Sequence, residues 1–294
     1  MRKLLRDKNK IECPLCNSDD TKLMYKTDLS EIVSKIDNRD IQIREEIKKI
    51  WGGDSCKFME CNNCSFSFAF PFKGGTNKLY SLIYTNNYPK ERWEYDLALN
   101  NISLEDICLE IGAGAGIFLK KLLSKCKKEN IYSVEVSYNK SNYKNISDIP
   151  NNKKFSVVCM FQVLEHLDNF KEVIDKINII TTKNAKLIIS VPHEDTVEFF
   201  REKIGMSDNP PIHVSRWNKN TIGKLKGWKL VDYKTNKLSY VQIFKNLFYG
   251  TRTIKYPRTR NPLFLISCFL HAITKMELKK MKDGQYFCLE KDGE

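Results

Sequence analysis

Short apolar runs alternate with helical periodicities across residues 105–192. Residues 107–111 read as an apolar strand that runs into Gly112, Gly114 and Gly116. Ile117, Phe118, Leu119, Leu122 and Leu123 then recur at helical spacing. Residues 131–135 are a short strand ending in an acid, Glu135. A third strand, 155–161, leads into Gln162-Val-Leu-Glu-His166-Leu, and a helix from about 169 to 182 leads to a fourth strand at 186–191. Strands alternating with helices predict an α/β fold: a parallel sheet, right-handed crossovers, and helices on both faces.

The flanking pattern differs. Leu29, Ile32, Val33, Ile36, Ile41, Ile43, Ile47 and Ile50 recur at helical spacings, predicting a helix across 28–50. Residues 65–70 alternate like a half-buried strand, and residues 284–290 read as a final strand. The expected organisation is therefore an N-terminal module over 1–75, a helical connector rich in Tyr and Trp over 76–104, and an α/β domain over 105–294. An insertion interrupts that domain at about 233–282.

Cysteine usage sharpens the reading of the first module. The chain starts basic and polar with no apolar core behind it, so a secretory signal is not expected. The longest apolar run, 262–273, is shorter than the roughly 20 residues a bilayer needs. A cytoplasmic protein is the expectation, and there paired cysteines hold metal more often than they form disulfides. Of ten cysteines, four form two pairs, Cys13-Pro-Leu-Cys16 and Cys61-Asn-Asn-Cys64. A two-residue spacer turns both sulfurs toward one point, and two such knuckles complete the tetrahedral thiolate shell of zinc. Four protein ligands leave no open position, so the expected zinc is structural. Cys56 is a rival ligand with poorer spacing, and buried or redox-active thiols are the alternative.

The glycines carry the second candidate site. Gly112, Gly114 and Gly116 let the backbone turn and approach a ligand without a Cβ in the way. A carboxylate at the end of the next strand, Glu135, can accept ribose hydroxyls. This much also suits a nicotinamide enzyme, although GAGAG departs from the GxGxxG spacing.

Taken together, LEIGAGAG, VEVS, FSVVCMFQVLEHL and LIISVP resemble the successive motifs of class I S-adenosylmethionine-dependent methyltransferases. VLEHL with CPLC…CNNC looks most like a bacterial subgroup that often modifies sugars or other small metabolites. The resemblance implies a Rossmann-like methyltransferase sheet and S-adenosyl-L-methionine as cofactor. It places Glu110 near the cofactor's amino group and Gly112, Gly114 and Gly116 under the cofactor. Glu135 falls at the ribose, and Phe161 and Gln162 beside the sulfonium. An acid near the adenine is also implied. Only about 20 residues separate Glu135 from Phe155, so the element that carries that acid is cut short, and Asp148 is the candidate.

Methyl transfer needs alignment, exclusion of water and sometimes a base. In open α/β sheets the ligand lies at the carboxyl ends of the strands. Of four histidines, His166, His193 and His213 fall at or near that edge, and His271 lies in an apolar segment. His166 and His213 are the catalytic candidates, with bracing of the loop as the other role open to His166. Asp208-Asn-Pro-Pro resembles a motif of adenine amino-group methyltransferases, but Gln162 already occupies that motif's place, so it reads as loop punctuation.

The net charge of +13 points to an anionic partner or to solvated lysine-rich faces. Between Asp232 and Glu277, eight Lys and Arg stand without an acid among interleaved aromatics. This segment suits a phosphorylated or nucleotide-linked small-molecule substrate, an RNA surface, or peripheral contact with anionic lipid. The expected function is methylation of a small polar metabolite, a sugar or nucleotide-linked sugar. An RNA methyltransferase and a non-catalytic binding protein of the same fold are the rivals.

Overall fold

A computed structural model describes residues 10–34, 41–83, 91–137, 140–195, 208–237 and 282–293. The larger sheet has six strands: β4 (Cys108–Ile111), β5 (Ile131–Val134), β6 (Phe155–Phe161), β7 (Thr181–Pro192), β9 (Trp228–Lys237) and β10 (Lys282–Lys291). Their order is β5-β4-β6-β7-β10-β9. The first four are parallel, and β10 runs antiparallel between β7 and β9. This is the expected Rossmann-like methyltransferase architecture. Helix α5 (Ile117–Leu122) follows β4, and α6 (Phe170–Ile180) follows β6.

Burial explains why these strands read as continuous apolar runs. In β6 only Ser156 is partly exposed, and every residue of β4 is buried. A parallel sheet is covered on both faces, so no polar face breaks its hydrophobic pattern. Strand β9 has no such signature. Among the described residues it pairs with β10 alone, and Lys229, Asp232 and Lys234 on this edge blunt further pairing. Among the described residues between β5 and β6 stand only a bridge from Val134 to Tyr143 and a single 3₁₀ turn, Ile146–Asp148.

The N-terminal residues build a second sheet, ordered β1-β2-β3-β8. Its strands are β1 (Thr21–Asp28), β2 (Ser55–Cys61), β3 (Ser67–Phe70) and β8 (Ser215–Arg216). The apolar period over 28–50 resolves into α1 (Leu29–Ser34) and α2 (Ile41–Trp51), while residues 35–40 lie outside the described residues. The connector contributes α3 (Asn77–Ile83) and α4 (Trp93–Leu99).

The last strand of this sheet comes from far along the chain. Phe68 pairs with Ser215 and Ser67 with Arg216. Phe66 packs edge-on against Trp217 at 4.6 Å, and Trp217 against Phe170 of α6 at 5.0 Å. Cys13, Cys61 and Cys64 share one apolar cluster with Val158 and Leu187 of the larger sheet. The two sheets thus have a continuous core. Burying Phe66 and Trp217 side chains of this size contributes roughly 1.5–3 kcal/mol each. Most of the basic insertion, residues 238–281, lies outside the described residues. Among those described, no helix is long and apolar enough to cross a membrane.

Candidate active site

The end of β4 turns sharply into α5, and the glycines make the turn possible. Gly112, Gly114 and Gly116 all have positive φ, at 75°, 51° and 71°. At Gly112 a Cβ would also meet Val163 Cγ2 at 2.4 Å, so this position needs both the left-handed backbone and the missing side chain. A cleft opens above the turn, lined by Glu110, Gly112, Gly114, Phe161 and Gln162, with Arg92 and Tyr95 from the connector. Gln162, the residue after β6, is itself left-handed at φ 57°, and its amide N–H donates to the Ser190 carbonyl at 2.9 Å.

Glu110 is the telling member of the cleft. It is only 3% exposed, and its Oε2 has no hydrogen-bond partner. Burial pushes its carboxyl well above the usual range, opposed by the charge of Arg92 and reinforced by Glu135. An orphaned carboxylate oxygen in a glycine-floored cleft fits a ligand that brings an ammonium group. The donor set therefore suits the methionyl end of S-adenosylmethionine.

Other predicted residues lie differently. Glu135 is not on the cleft lining. Its Oε2 accepts from the Gly114 amide at 3.0 Å, and its Oε1 from the amide and hydroxyl of Ser137 at 3.0 and 2.8 Å. It braces the glycine turn. Asp148 is exposed and accepts from the Asn145 amide at 2.8 Å, closing its own 3₁₀ turn. Phe161 is buried against Tyr95 and Phe118. Arg92 and Tyr95 are functional candidates that sequence reasoning missed, because a polar connector gives no periodic signal.

A second cluster forms where the turn after β6 meets the loop before β8. Glu165 is 2% exposed, and neither of its carboxylate oxygens has a hydrogen-bond partner. Nε2 of His213 stands 4.0 Å from Glu165 Oε1, while Nδ1 of the same ring lies 3.3 Å from Asp208 Oδ1. The His166 ring packs edge-on to His213 at 4.6 Å. Its Nδ1 lies 2.9 Å from the Ile212 carbonyl oxygen and 3.1 Å from the Tyr80 hydroxyl. A carbonyl only accepts, so the His166 proton sits on Nδ1 and the lone pair on Nε2.

Environment separates the titrations. Burial raises Glu165 to about 7, and burial with the neighbouring His213 lowers His166 to about 3. Burial alone would lower His213, but the hydrogen bond and charge of Asp208, with Glu165 beside it, carry the ring above its usual value. Arg92 lines the cleft, and its charge also acts on Glu165 and His166.

The structure thus brings His166 and His213 together and adds Glu165, Asp208 and Tyr80, which the sequence reading did not assign. His193 stands apart, its Nδ1 accepting from the Asp195 amide at 3.2 Å.

The four cysteines converge. Sγ of Cys13 lies 3.6 Å from that of Cys64, and Cys16 the same distance from Cys61. All four sulfurs lie within 4.8 Å of one another. Asn17 and Ser65, each just after a pair, take left-handed φ of 59°, and their amides donate back to the Cys13 and Cys61 carbonyls. Asn63 Nδ2 donates to Cys16 Sγ at 3.6 Å. Soft, converging donors at these separations suit a tetrahedral zinc ion. Cys56 bonds backbone carbonyls and takes no part in the cluster.

Comparison with known proteins agrees with this geometry. The profile of the family described as "Methyltransferase domain" matches residues 89–233. The mitochondrial ubiquinone biosynthesis O-methyltransferase of Dictyostelium discoideum is 25% identical over 150 residues, which is 50% of this chain and 45% of that protein. The chain spans less than half the length of that relative. Solved structures of similar fold include the N-methyltransferase NodS of Bradyrhizobium japonicum WM9 in complex with S-adenosylhomocysteine. It is 13% identical, with 70% of this chain and 89% of that one covered at a TM-score of 0.42. The [4+2]-cyclase SpnF is 12% identical, with 71% and 86% covered at a TM-score of 0.45. Residues 89–233, just under half of this chain, thus match a methyltransferase domain.

Proposed function

We propose that this chain methylates a small polar metabolite, with the cofactor in the glycine-floored cleft and the acceptor beside the Glu165–His166–His213 cluster. The observation that carries the reading is Glu110: a buried carboxylate whose Oε2 lacks a partner until a cation enters the cleft. S-adenosylmethionine, when bound, supplies an activated methyl group. The chain's own residues align and sequester. Glu110 holds the amino group. Gly112, Gly114 and Gly116 admit the backbone to close approach. Phe161 and Gln162 flank the sulfonium, and Glu135 serves the ribose while bracing the loop. Asp148 remains the proposed acid toward the adenine.

On the acceptor side His213 is the better base. Asp208 backs its Nδ1, and its Nε2 faces Glu165. His166, held near 3, is a weak base and orients the turn. A sugar or nucleotide-linked sugar acceptor rests on the VLEHL and paired-cysteine resemblance, and a structural zinc on the four sulfurs. The test is calorimetry with S-adenosylhomocysteine on wild type and Glu110→Gln, followed by turnover against panels of nucleotide sugars, catechols and bulk RNA. Micromolar binding that Glu110→Gln weakens supports the cofactor site. Salt-dependent turnover confined to RNA would transfer the reading to nucleic acid.

A further inference from the structure

The Glu165–His166–His213 cluster has the marks of a second metal site, unlike the first in every ligand. One ligand atom from each of the three residues lies within 4.8 Å of the other two. Their outer partners are set as they are around bound metals. A metal-ligating histidine donates its remote N–H to a carboxylate or a backbone carbonyl, which fixes the tautomer and aims the other nitrogen. Here His213 Nδ1 faces Asp208 Oδ1 at 3.3 Å, and His166 Nδ1 donates to the Ile212 carbonyl at 2.9 Å. In the neutral form of each ring, Nε2 then carries the lone pair.

Glu165 supplies the independent observation. It is 2% exposed, both its oxygens lack a hydrogen-bond partner, and its nearest charged neighbour is His213 Nε2 at 4.0 Å. A carboxylate buried like this is costly unless something cationic completes it. An imidazole nitrogen 4.0 Å away is too far for a hydrogen bond. It is close enough that an ion with bonds of about 2.0–2.2 Å can sit between the two after a small contraction.

We propose that Glu165, His166 and His213 bind a divalent first-row transition ion through one carboxylate and two imidazoles, with the remaining positions open to an oxygen of the acceptor. Two imidazoles and a carboxylate suit such an ion better than magnesium or calcium. Three protein ligands are also what an ion that must engage a substrate keeps, whereas the four cysteines close their shell. The inference rests on the proposed function only for the identity of the open-side ligand, not for the ion, and an ion held by His213 Nε2 takes the place of His213 as base.

Cobalt(II) separates the two sites, because thiolate ligation gives an intense charge-transfer absorption that a carboxylate–imidazole site lacks. Full-length protein, with its cysteine site already loaded with zinc, is washed with a mild chelator and titrated with Co(II). One equivalent is expected to bind with weak ligand-field bands and no thiolate absorption. Glu165→Gln and His213→Gln should each weaken binding at least 100-fold. Asp208→Asn, which touches only the back of His213, should weaken it by about 10–100-fold. Because Glu165→Gln removes a buried charge, circular dichroism and melting accompany each variant, and Asp208→Asn decides the matter if that variant does not fold.

No Co(II) uptake beyond the thiolate site at millimolar metal overturns the proposal, as does uptake that folded variants leave unchanged. Calorimetry with S-adenosylhomocysteine on the same samples keeps the readings apart. Cofactor binding without Co(II) binding sinks the metal site alone. Co(II) binding without cofactor binding sinks the methyltransferase reading and leaves the metal site standing.

Discussion

The glycine-floored cleft and the acid–histidine cluster lie at the same edge of one sheet, yet they are assembled in opposite ways. The floor of the cleft comes from one stretch, Glu110 to Ile117, plus Phe161 at the end of β6 and Gln162 just after it. The cluster joins Tyr80, Glu165, His166, Asp208 and His213 from three separate segments. The cleft relies on backbone geometry, with three left-handed glycines and one left-handed glutamine. The cluster relies on side chains whose orientation depends on the N-terminal sheet, because β8 begins two residues after His213 and pairs with β3. A ligand site made of backbone is fixed by its own sequence. One made of side chains is fixed by whatever packs behind it.

The largest perturbation should strike the cluster through that support. Structural zinc contributes about 10–16 kcal/mol in small zinc modules at neutral pH. Cys61→Ser should therefore cut zinc content from about one per chain to none by elemental analysis and open the N-terminal sheet to protease. Wild-type protein purified without chelator and found free of zinc would break this side of the comparison.

Gly112→Val comes next and strikes the cleft. The strain of a β-branched residue at φ 75°, together with the 2.4 Å approach to Val163, should cost about 2–6 kcal/mol. S-adenosylhomocysteine binding should vanish from calorimetry, with a lowered melting temperature. Retained binding in a folded variant would mean the cleft lies elsewhere.

Glu110→Gln should weaken cofactor binding by about 1.5–3 kcal/mol, the scale of one hydrogen bond to a charged group. It should also remove a pH dependence. Burial holds the Glu110 carboxyl well above the usual range, which favours the protonated form in the empty site. An ammonium group favours the ionised form, so binding expels that proton and affinity rises with pH until the free carboxyl ionises on its own. Calorimetry in buffers of different ionisation enthalpy reads the released proton. No release in wild type would contradict the assignment.

The smallest effect is expected from Glu135→Ala, about 1–2 kcal/mol in cofactor affinity. Part of it arises from losing the brace on Gly114 rather than the ribose contact. Equal losses for ribose-containing and ribose-free ligands would assign the whole effect to the brace.

The same contrast explains what was legible in the sequence. β4, the glycine turn and β6 could be read because a doubly covered strand and a tight turn each leave a local mark, whereas Glu110 was named only through the family resemblance. His166 and His213 could be named from their position at the strand ends. Their partners could not. Asp208 sits in what reads as loop punctuation, and Tyr80 in a connector without a motif. Neither has a sequence neighbour that announces its role. β1 and β2 went unread because β1 is mostly exposed and breaks register between Leu23 and Tyr25, while the cysteines in β2 obscured its alternation. β9 went unread as a polar edge.

Strand β8 also sets the order in which the molecule can be completed. β3 emerges early from the ribosome, but its partner at Ser215–Arg216 follows about 150 residues later. Until then one edge of the N-terminal sheet stands unpaired, and Phe66 waits for Trp217. Long sequence separation makes such a contact late to form and entropically costly to close. The cysteine knuckles, β1 and β2 have no such delay, so early metal capture would hold the half-built sheet in shape while the methyltransferase core is still being synthesised.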